Sequence, residues 1–572
     1  MIRRRTFLGT SAAAAATLAV PRAAWAARAI DWEPLRRAVG DRLIDTPSPL
    51  AELARNGGRG ADALFRQLKN PYFLSDTPGL TQTLGWIDAW TSQPSLKGVA
   101  AQSPADVAAA VDFARRSGIP PVVKGGGHSY FGNSNRAGSL LIWTHRIRDI
   151  VLHDAFRPSG APASAAAEPA VSIGAGCLWG EVYRTVAAQG RYVQGGGCLT
   201  VGTAGFVQGG GFGSLSKEFG TGAANLIEAE VVTADGRIRT VNRFRDPDLF
   251  FALRGGGGGT FGVVTRLTLR SHPLPTTIGG ALFEVRASDD ASWRALVAET
   301  VRFYADTLFN PTWGEQIRFG PGRRLAVTMV CHGLTQDAIA ATWEPFLSWI
   351  KARPGYALAG DPMFISIPGR SFWDPAYLRQ LPGLVLQDDR PGAPADNIYW
   401  ASNRGEAGQV IHAYQSAWLP NRLLDPSRRG QLVDALLAAS AGWSVSLHVN
   451  KGLGGGSAYA IRSTRETATS PEVLDSFALV IAGAEQDPAW PGIRGHEPDV
   501  ARGRRNAAAV TRAMAPLRAL APAAGAYVSE ADYFQADWKR AYWGPNYPRL
   551  AAAKRRYDPQ WLFRGHHCVE PA

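Results

Sequence analysis

Val107, Val111 and Ala114 recur on one helical face between Ser103 and Gly118, and here the patterning of the chain first becomes sharp. Ser103 can cap that helix, Pro104 suits its first position, and Asp106 three residues on completes a capping box. Gly118 stops it. Ile119-Pro-Pro-Val-Val123 then reads as a strand feeding a glycine-rich loop, Lys124-Gly-Gly-Gly-His128-Ser-Tyr130.

A strand–loop–helix unit follows, with a strand at 170–174, a helix from Leu178 to Gln189, and Gly190 as its stop. A second glycine-rich stretch comes next, Gly195-Gly-Gly-Cys198-Leu-Thr-Val-Gly202, running into Gly205-Phe-Val-Gln-Gly-Gly-Gly-Phe-Gly213. Asn225 to Val241 predicts a hairpin turning at Asp235-Gly236. A short helix at 248–254 leads through Gly255–Gly259 to a strand at 262–269. Residues 94–273 therefore read as an α+β cofactor module, and 157–169, rich in Ala, Pro and Ser, as a flexible insertion in it. Alternating strands at 443–449 and 477–482, between Trp- and Pro-rich loops, predict a second α+β domain with a large sheet. Before the module, 27–93 mixes short helical patterns with loops. No repeat at solenoid periods is visible.

At 572 residues the chain exceeds one ordinary core, so two or more domains are expected. It is 45% hydrophobic and 19% charged, the balance of a globular protein, and past the leader no run is long enough to span a bilayer. A formal charge of +13 would suit a polyanion partner, but the Lys and Arg are scattered, which favours a solubilising surface and no nucleic acid. Four Cys make no disulfide framework.

Gly257-x-Gly259-x-x-Gly262 matches a dinucleotide fingerprint on paper. The Rossmann mechanism needs a helix opening directly after it, and a β-rich run from Val263 follows instead, which argues against a nicotinamide site. His128 alone reads equally as a polar loop residue, and Cys198 alone as a small buried hydrophobe. Together they set one nucleophile in each of two glycine-rich stretches, where missing Cβ atoms let backbone approach a ligand. A Cys177–Cys198 disulfide is the competing reading. His566-His567-Cys568 and Cys331-His332 hint at a metal, yet neighbours on an extended segment face opposite ways, so none is expected.

The N-terminus carries an address. Arg3-Arg-Arg-Thr-Phe-Leu-Gly9, a short Ala-rich stretch and Ala24-Trp-Ala26 resemble a twin-arginine signal, which implies bacterial export of the folded protein to the periplasm or medium, and no stable membrane insertion.

On the order and wording of its two glycine-rich stretches the chain resembles the berberine bridge enzyme-like branch of the vanillyl-alcohol-oxidase superfamily. The likeness spans roughly 94–273 and resumes at Asn546-Tyr-Pro-Arg-Leu550, Lys554, Tyr557-Asp-Pro559 and Leu562-Phe563. It implies an α+β fold: a two-part FAD-binding domain of the vanillyl-alcohol-oxidase (p-cresol methylhydroxylase) type plus an α+β substrate domain with a large antiparallel sheet. The division would be signal 1–26, helical segment 27–93, FAD domain 94–273, substrate domain 274–520 and a returning segment 521–572. It also implies covalent FAD, with His128 on the 8α-methyl carbon and Cys198 on C6. Gly125, Gly126, Gly127 and Ser129 would cradle the pyrophosphate, and Thr200, Val201, Gly202 and Gly205 would follow the ring edge. Gly262 and Val264 would lie near the adenine, with Asn546 and Tyr547 in the closing motif beside the cofactor. Two positions depart from the family: Leu199 where Cys-Pro is common, and Ala224 where an Asp is usual.

The implied reaction takes a hydride from a C–H bond of a sugar or other alcohol to flavin N5, and dioxygen or another acceptor reoxidises the ring. The alternatives are amine or alkaloid oxidation, or a non-catalytic flavin-containing binding protein. Trp373, Trp400, Trp418 and Trp443 could pack on sugar rings or fill the core. For the base, Tyr527-Val-Ser-Glu530-Ala-Asp532 takes the place of a family stretch whose Tyr contacts substrate. Glu530 is the expected base and Tyr527 the fallback, facing away from it if the segment is a regular strand.

Overall fold

The computed structural model describes residues 30–572, so the export signal read at 1–26 lies outside the described residues. The capping box is present: Ser103 Oγ accepts from the Asp106 amide at 3.3 Å, and the Asp106 carboxylate accepts from the Ser103 amide at 3.1 Å. The helix Pro104–Ser117 ends at Gly118, whose φ of 69° is the left-handed cap that glycine adopts without penalty. Its buried face packs on a small sheet ordered Leu43–Ile44, Lys97–Ala100, Leu140–Trp143, Pro121–Lys124, whose last three strands run parallel.

A second, antiparallel sheet holds the predicted hairpin, Leu226–Val232 and Ile238–Asn242, beside Val263–Pro273, Glu168–Gly174 and Ile150–Phe156. The stretch expected to be a flexible insertion is the connection between the last two strands. It is not free: the Ser159 amide donates to the Glu228 carboxylate and its carbonyl accepts from Asn242 Nδ2 at 2.9 Å. A polar, Ala-rich composition hid these long-range hydrogen bonds.

The large sheet runs from 277 to 486, antiparallel except where Thr83–Trp86 joins Gln409–Pro420 in parallel. Side chains alternate across a strand. Ala281, Phe283, Val327 and Met329 meet the helices Asp290–Phe303, Gln336–Lys351, Arg429–Ser440 and Val500–Leu520 in one core. Gly280, Leu282, Thr328 and Val330 line a cavity on the opposite face.

The segment 27–93 is more than a run of helices. It has four, but Leu43–Ile44 enters the first sheet and Thr83–Trp86 the large one, so it ties the two halves together. Lys124 secures this joint: fully buried, its Nζ donates to the carbonyls of Leu74, Thr77 and Leu80 around the end of the helix Pro71–Asp76. Those carbonyls offset the cost of burying an amine, whose pKa burial pulls down to about 7. No helix among the described residues is long and apolar enough to cross a membrane.

Candidate active site

A cavity of about 800 Å³ is walled by the FAD-side sheets, the large sheet and the closing segment, near the top of the roughly 300–1,000 Å³ usual for ligand clefts. Gly125, Gly126, Gly127, His128 and Ser129 line it, as do Cys198, Val201, Gly202, Gly205, Gly262 and Val264. The two glycine-rich stretches touch here. A Cβ on Gly126 would lie 2.8 Å from the Gly202 nitrogen, and one on Gly202 would lie 2.7 Å from the Gly126 nitrogen. Any side chain at either position would push the stretches apart.

This wall fits an FAD. Among the described residues the amides of Gly126 through Ser129 donate to no acceptor, which leaves a row of N–H groups for a diphosphate. The Gly257–Thr260 backbone, without a bulky side chain, borders the same space. The strand Val263–Pro273 follows Gly262, so the Rossmann-like spacing serves a turn into a strand.

His128 Nε2 lies 3.1 Å from the Thr200 carbonyl, which accepts its proton and leaves Nδ1 with the lone pair. Burial lowers the His128 pKa to about 4, so the imidazole is neutral and nucleophilic at physiological pH. Cys198 Sγ lies 3.4 Å from Thr200 Oγ1. Burial, then the charge of Glu406, push its thiol up to about 11, while the Thr200 hydroxyl and the amides of Thr200 and Val201 pull it down. Thr200 is fully buried and touches both nucleophiles rather than facing the cavity. Cys177 forms no disulfide with Cys198; it is buried in the core, and its carbonyl accepts from the Thr203 amide. His566 and His567 stack with Tyr533 and Trp538, and no metal-holding group of His, Cys, Asp and Glu exists among the described residues.

The other end of the cavity is carboxylate-rich. Glu530 lines it and forms an ion pair with Lys451. The regular strand expected at Tyr527 is absent. Tyr527 to Glu530 is a tight turn closed by the Glu530 amide on the Tyr527 carbonyl at 2.9 Å, so both residues border the cavity. Tyr527 is committed elsewhere: its hydroxyl accepts from the Gly211 amide at 3.2 Å and its ring meets Phe212 edge-on.

The sequence reading missed Glu406, Glu315, Tyr414, Lys451 and Asn450, all on the cavity wall. Glu406 is exposed to the cavity, yet the protein atoms crowded around it, then the charges of Glu530 and Glu485, raise its pKa to about 7. The nearby Asn403 side chain and the charge of Lys451 oppose that shift. Glu315 sits within the strand Trp313–Gly320 at φ 67°, a left-handed conformation costing a non-glycine residue of order 1–3 kcal/mol. Its carboxylate accepts from Ser214 Oγ and from Asn450 Nδ2. Asn450 is buried, yet its Oδ1 has no partner among the described residues. No local motif marks these residues, because they come from separate strands, a turn after Val445–His448 and the connection before Gln409–Pro420.

Of the four Trp considered for substrate packing, Trp373 and Trp400 line the cavity, and Trp400 Nε1 donates to the Gly197 carbonyl at 2.7 Å. Trp418 belongs to the core, and Trp443 Nε1 donates to the Gly483 carbonyl away from the cavity. Asn546 and Tyr547 do not line it either. Asn546 Nδ2 donates to the Thr469 carbonyl, and the Tyr547 hydroxyl accepts from the Glu570 amide, so both brace the closing segment from behind.

A family model described as "FAD binding domain" matches residues 97–242, and one described as "Berberine and berberine like" matches 526–570. The FAD-linked oxidoreductase easE of Arthroderma benhamiae is 31% identical over 475 residues, covering 81% of this chain and 87% of that protein. The VAO-type flavoprotein MtVAO615 of Myceliophthora thermophila C1 superposes with a TM-score of 0.73 over 94% of each chain at 24% identity. Glucooligosaccharide oxidase from Acremonium strictum, whose FAD is 6-S-cysteinyl and 8α-N1-histidyl, gives 0.62 at 21% identity, over 86% of this chain and 94% of that one. Both structures share the fold; on its identity to easE over most of both chains, with the berberine-like match at its end, the chain belongs to the berberine bridge enzyme-like FAD-linked oxidoreductases.

Proposed function

We propose that this protein is an exported oxidase that carries FAD bonded to both His128 and Cys198 and oxidises a sugar or another alcohol. The observation that carries the reading is one cavity that holds both nucleophiles beside a row of free amides, with carboxylates on the facing wall. The bicovalent FAD of glucooligosaccharide oxidase supports it, as does a neutral His128 with Nδ1 free.

When bound, the flavin supplies the hydride acceptor. The protein's part is to hold the donor carbon against the ring, exclude water and take the hydroxyl proton. Glu406 suits that last role better than Glu530, because Glu530 is already paired with Lys451 while Glu406 has no cation in contact among the described residues. Trp400, Tyr414 and Tyr130, the two Tyr rings 5.2 Å apart, offer aromatic faces to a ring-shaped donor. Three carboxylates against one Lys give the second reading, oxidation of an amine, its support.

The test is an anaerobic screen of purified protein against oligosaccharides, simple secondary alcohols and amines, following loss of the yellow absorbance. Bleaching by saccharides or alcohols supports the proposal, and bleaching by amines alone favours the second reading. Colour retained with a ligand that binds indicates a non-catalytic flavin protein. Acid-precipitated protein should keep its flavin, and release on denaturation sinks the covalent part.

A further inference from the structure

Thr200 contacts both attachment nucleophiles. Its carbonyl accepts from His128 Nε2 at 3.1 Å, and its hydroxyl lies 3.4 Å from Cys198 Sγ. It is fully buried, so these contacts do not compete with water. The close approach of Gly126 and Gly202 fixes the register that lets one residue span both stretches.

We infer that Thr200 is a positioning residue for flavin attachment, with two separable actions: its carbonyl sets the His128 tautomer, and its hydroxyl stabilises the Cys198 thiolate. This rests on the reading that Cys198 bonds the flavin. The chemistry divides accordingly. A neutral imidazole needs only its free nitrogen exposed. A thiol must first lose its proton, and burial and Glu406 oppose that. The hydroxyl is the side-chain donor available to the sulfur, and Val at this position would remove it while keeping the shape and the backbone.

The thioether step balances as follows. The Cys198 thiolate forms an S–C6 bond with oxidised FAD, and the ring keeps the electron pair. The hydrogens from sulfur and from C6 end on the reduced ring, and dioxygen removes two electrons and two protons as hydrogen peroxide. Overall, thiol, FAD and dioxygen give the thioether and hydrogen peroxide.

The test compares parent, Thr200→Val and Thr200→Ser. Each protein is denatured, alkylated with iodoacetamide and digested, and flavin is quantified on the peptides holding His128 and Cys198. Purified proteins are also incubated with FAD in air at pH 7 and pH 8. In Thr200→Val the histidyl bond should form fully while the thioether forms about tenfold more slowly, the effect of one pKa unit on thiolate at fixed pH. Raising the pH by one unit should restore most of that rate, and Thr200→Ser should match the parent. Thioether formation at the parental rate in Thr200→Val overturns the inference. Loss of both bonds also overturns it, because the role is then merely structural. A parent with a free Cys198 thiol and a flavinylated His128 overturns it together with the bicovalent reading, and that result is distinguishable from the other two.

Discussion

Lys451 and Glu530 form an ion pair on the cavity wall. Lys451 comes from just past the strand Val445–His448, and Glu530 closes the tight turn that begins at Tyr527. The pairing separates the roles of the neighbouring carboxylates. Glu530 has its counter-ion, and its charge helps keep the Glu406 carboxyl protonated up to about pH 7.

Glu406→Gln should therefore slow anaerobic flavin reduction by about 10²–10⁴-fold, the usual worth of a matched general base, without loss of attached flavin. In the parent the rate should rise with pH through about 7, as Glu406 loses its proton. Glu530→Gln removes a neighbouring negative charge and should move that midpoint down; Lys451→Met should move it up. Stopped-flow reduction from pH 5.5 to 9, with whichever donor bleaches the enzyme, gives the profile. An unchanged limb in Glu406→Gln means that another group takes the proton.

Two partly buried His residues make stability acid-sensitive. Burial first, then the charges of Arg270 and Arg191, lower the His272 pKa to about 3, and burial with the His566 charge lowers that of His567 to about 3. Between these values and the unfolded 6.5, the unfolded chain binds protons that the fold refuses. Their contribution is fully present above pH 6.5 and falls with pH below it, by at most about 1.4 kcal/mol per pH unit for His272 and by less for His567, which solvent screens. Urea midpoints at pH 7.5, 6 and 5 should fall in that order, and His272→Gln should shallow the slope. An equal slope in that variant would assign the acid loss to carboxylates.

Lys554 is wholly buried, donating to Asp558, to the Phe563 carbonyl and to the Thr260 carbonyl at the edge of the FAD wall. Lys554→Met leaves the Asp558 charge buried and unpaired, which should cost about 3–5 kcal/mol. Lys554→Met with Asp558→Leu should recover part of that in the same urea melts. A single variant as stable as the parent would show that the pair contributes little.

Export should depend on the paired Arg residues. Replacing Arg4 and Arg5 by Lys should hold flavin-loaded precursor in the cytoplasm of a bacterial host, since an ammonium does not reproduce guanidinium recognition. Fractionation and flavin fluorescence follow it. Efficient delivery of the double-Lys variant to the periplasm removes the twin-arginine assignment.

Half of the site was legible before any coordinates. His128 and Cys198 announce themselves because backbone that must approach a ligand closely demands glycine, and runs of glycine are visible in one dimension. The substrate end left no such trace. Glu406, Glu315, Tyr414 and Lys451 look like ordinary residues of strands and connections, and only their convergence gives them chemistry. Tyr527 and Glu530 were found by resemblance, but a tight turn replaced the assumed strand and altered which way they face.

Local physics written in neighbouring residues determined the helix Pro104–Ser117 with its capping box, the Asp235-Gly236 hairpin, and the strand rather than helix after Gly262. Each depends on contacts within a few positions. Only the tertiary structure decided that Thr83–Trp86 joins the large sheet, that Thr200 touches both His128 and Cys198, and that Glu530 has Lys451 for a partner while Glu406 has no cation in contact among the described residues. Those facts depend on sheet register and on the closing of long loops, where a carboxylate's surroundings, and so its charge, are set by residues far away in sequence.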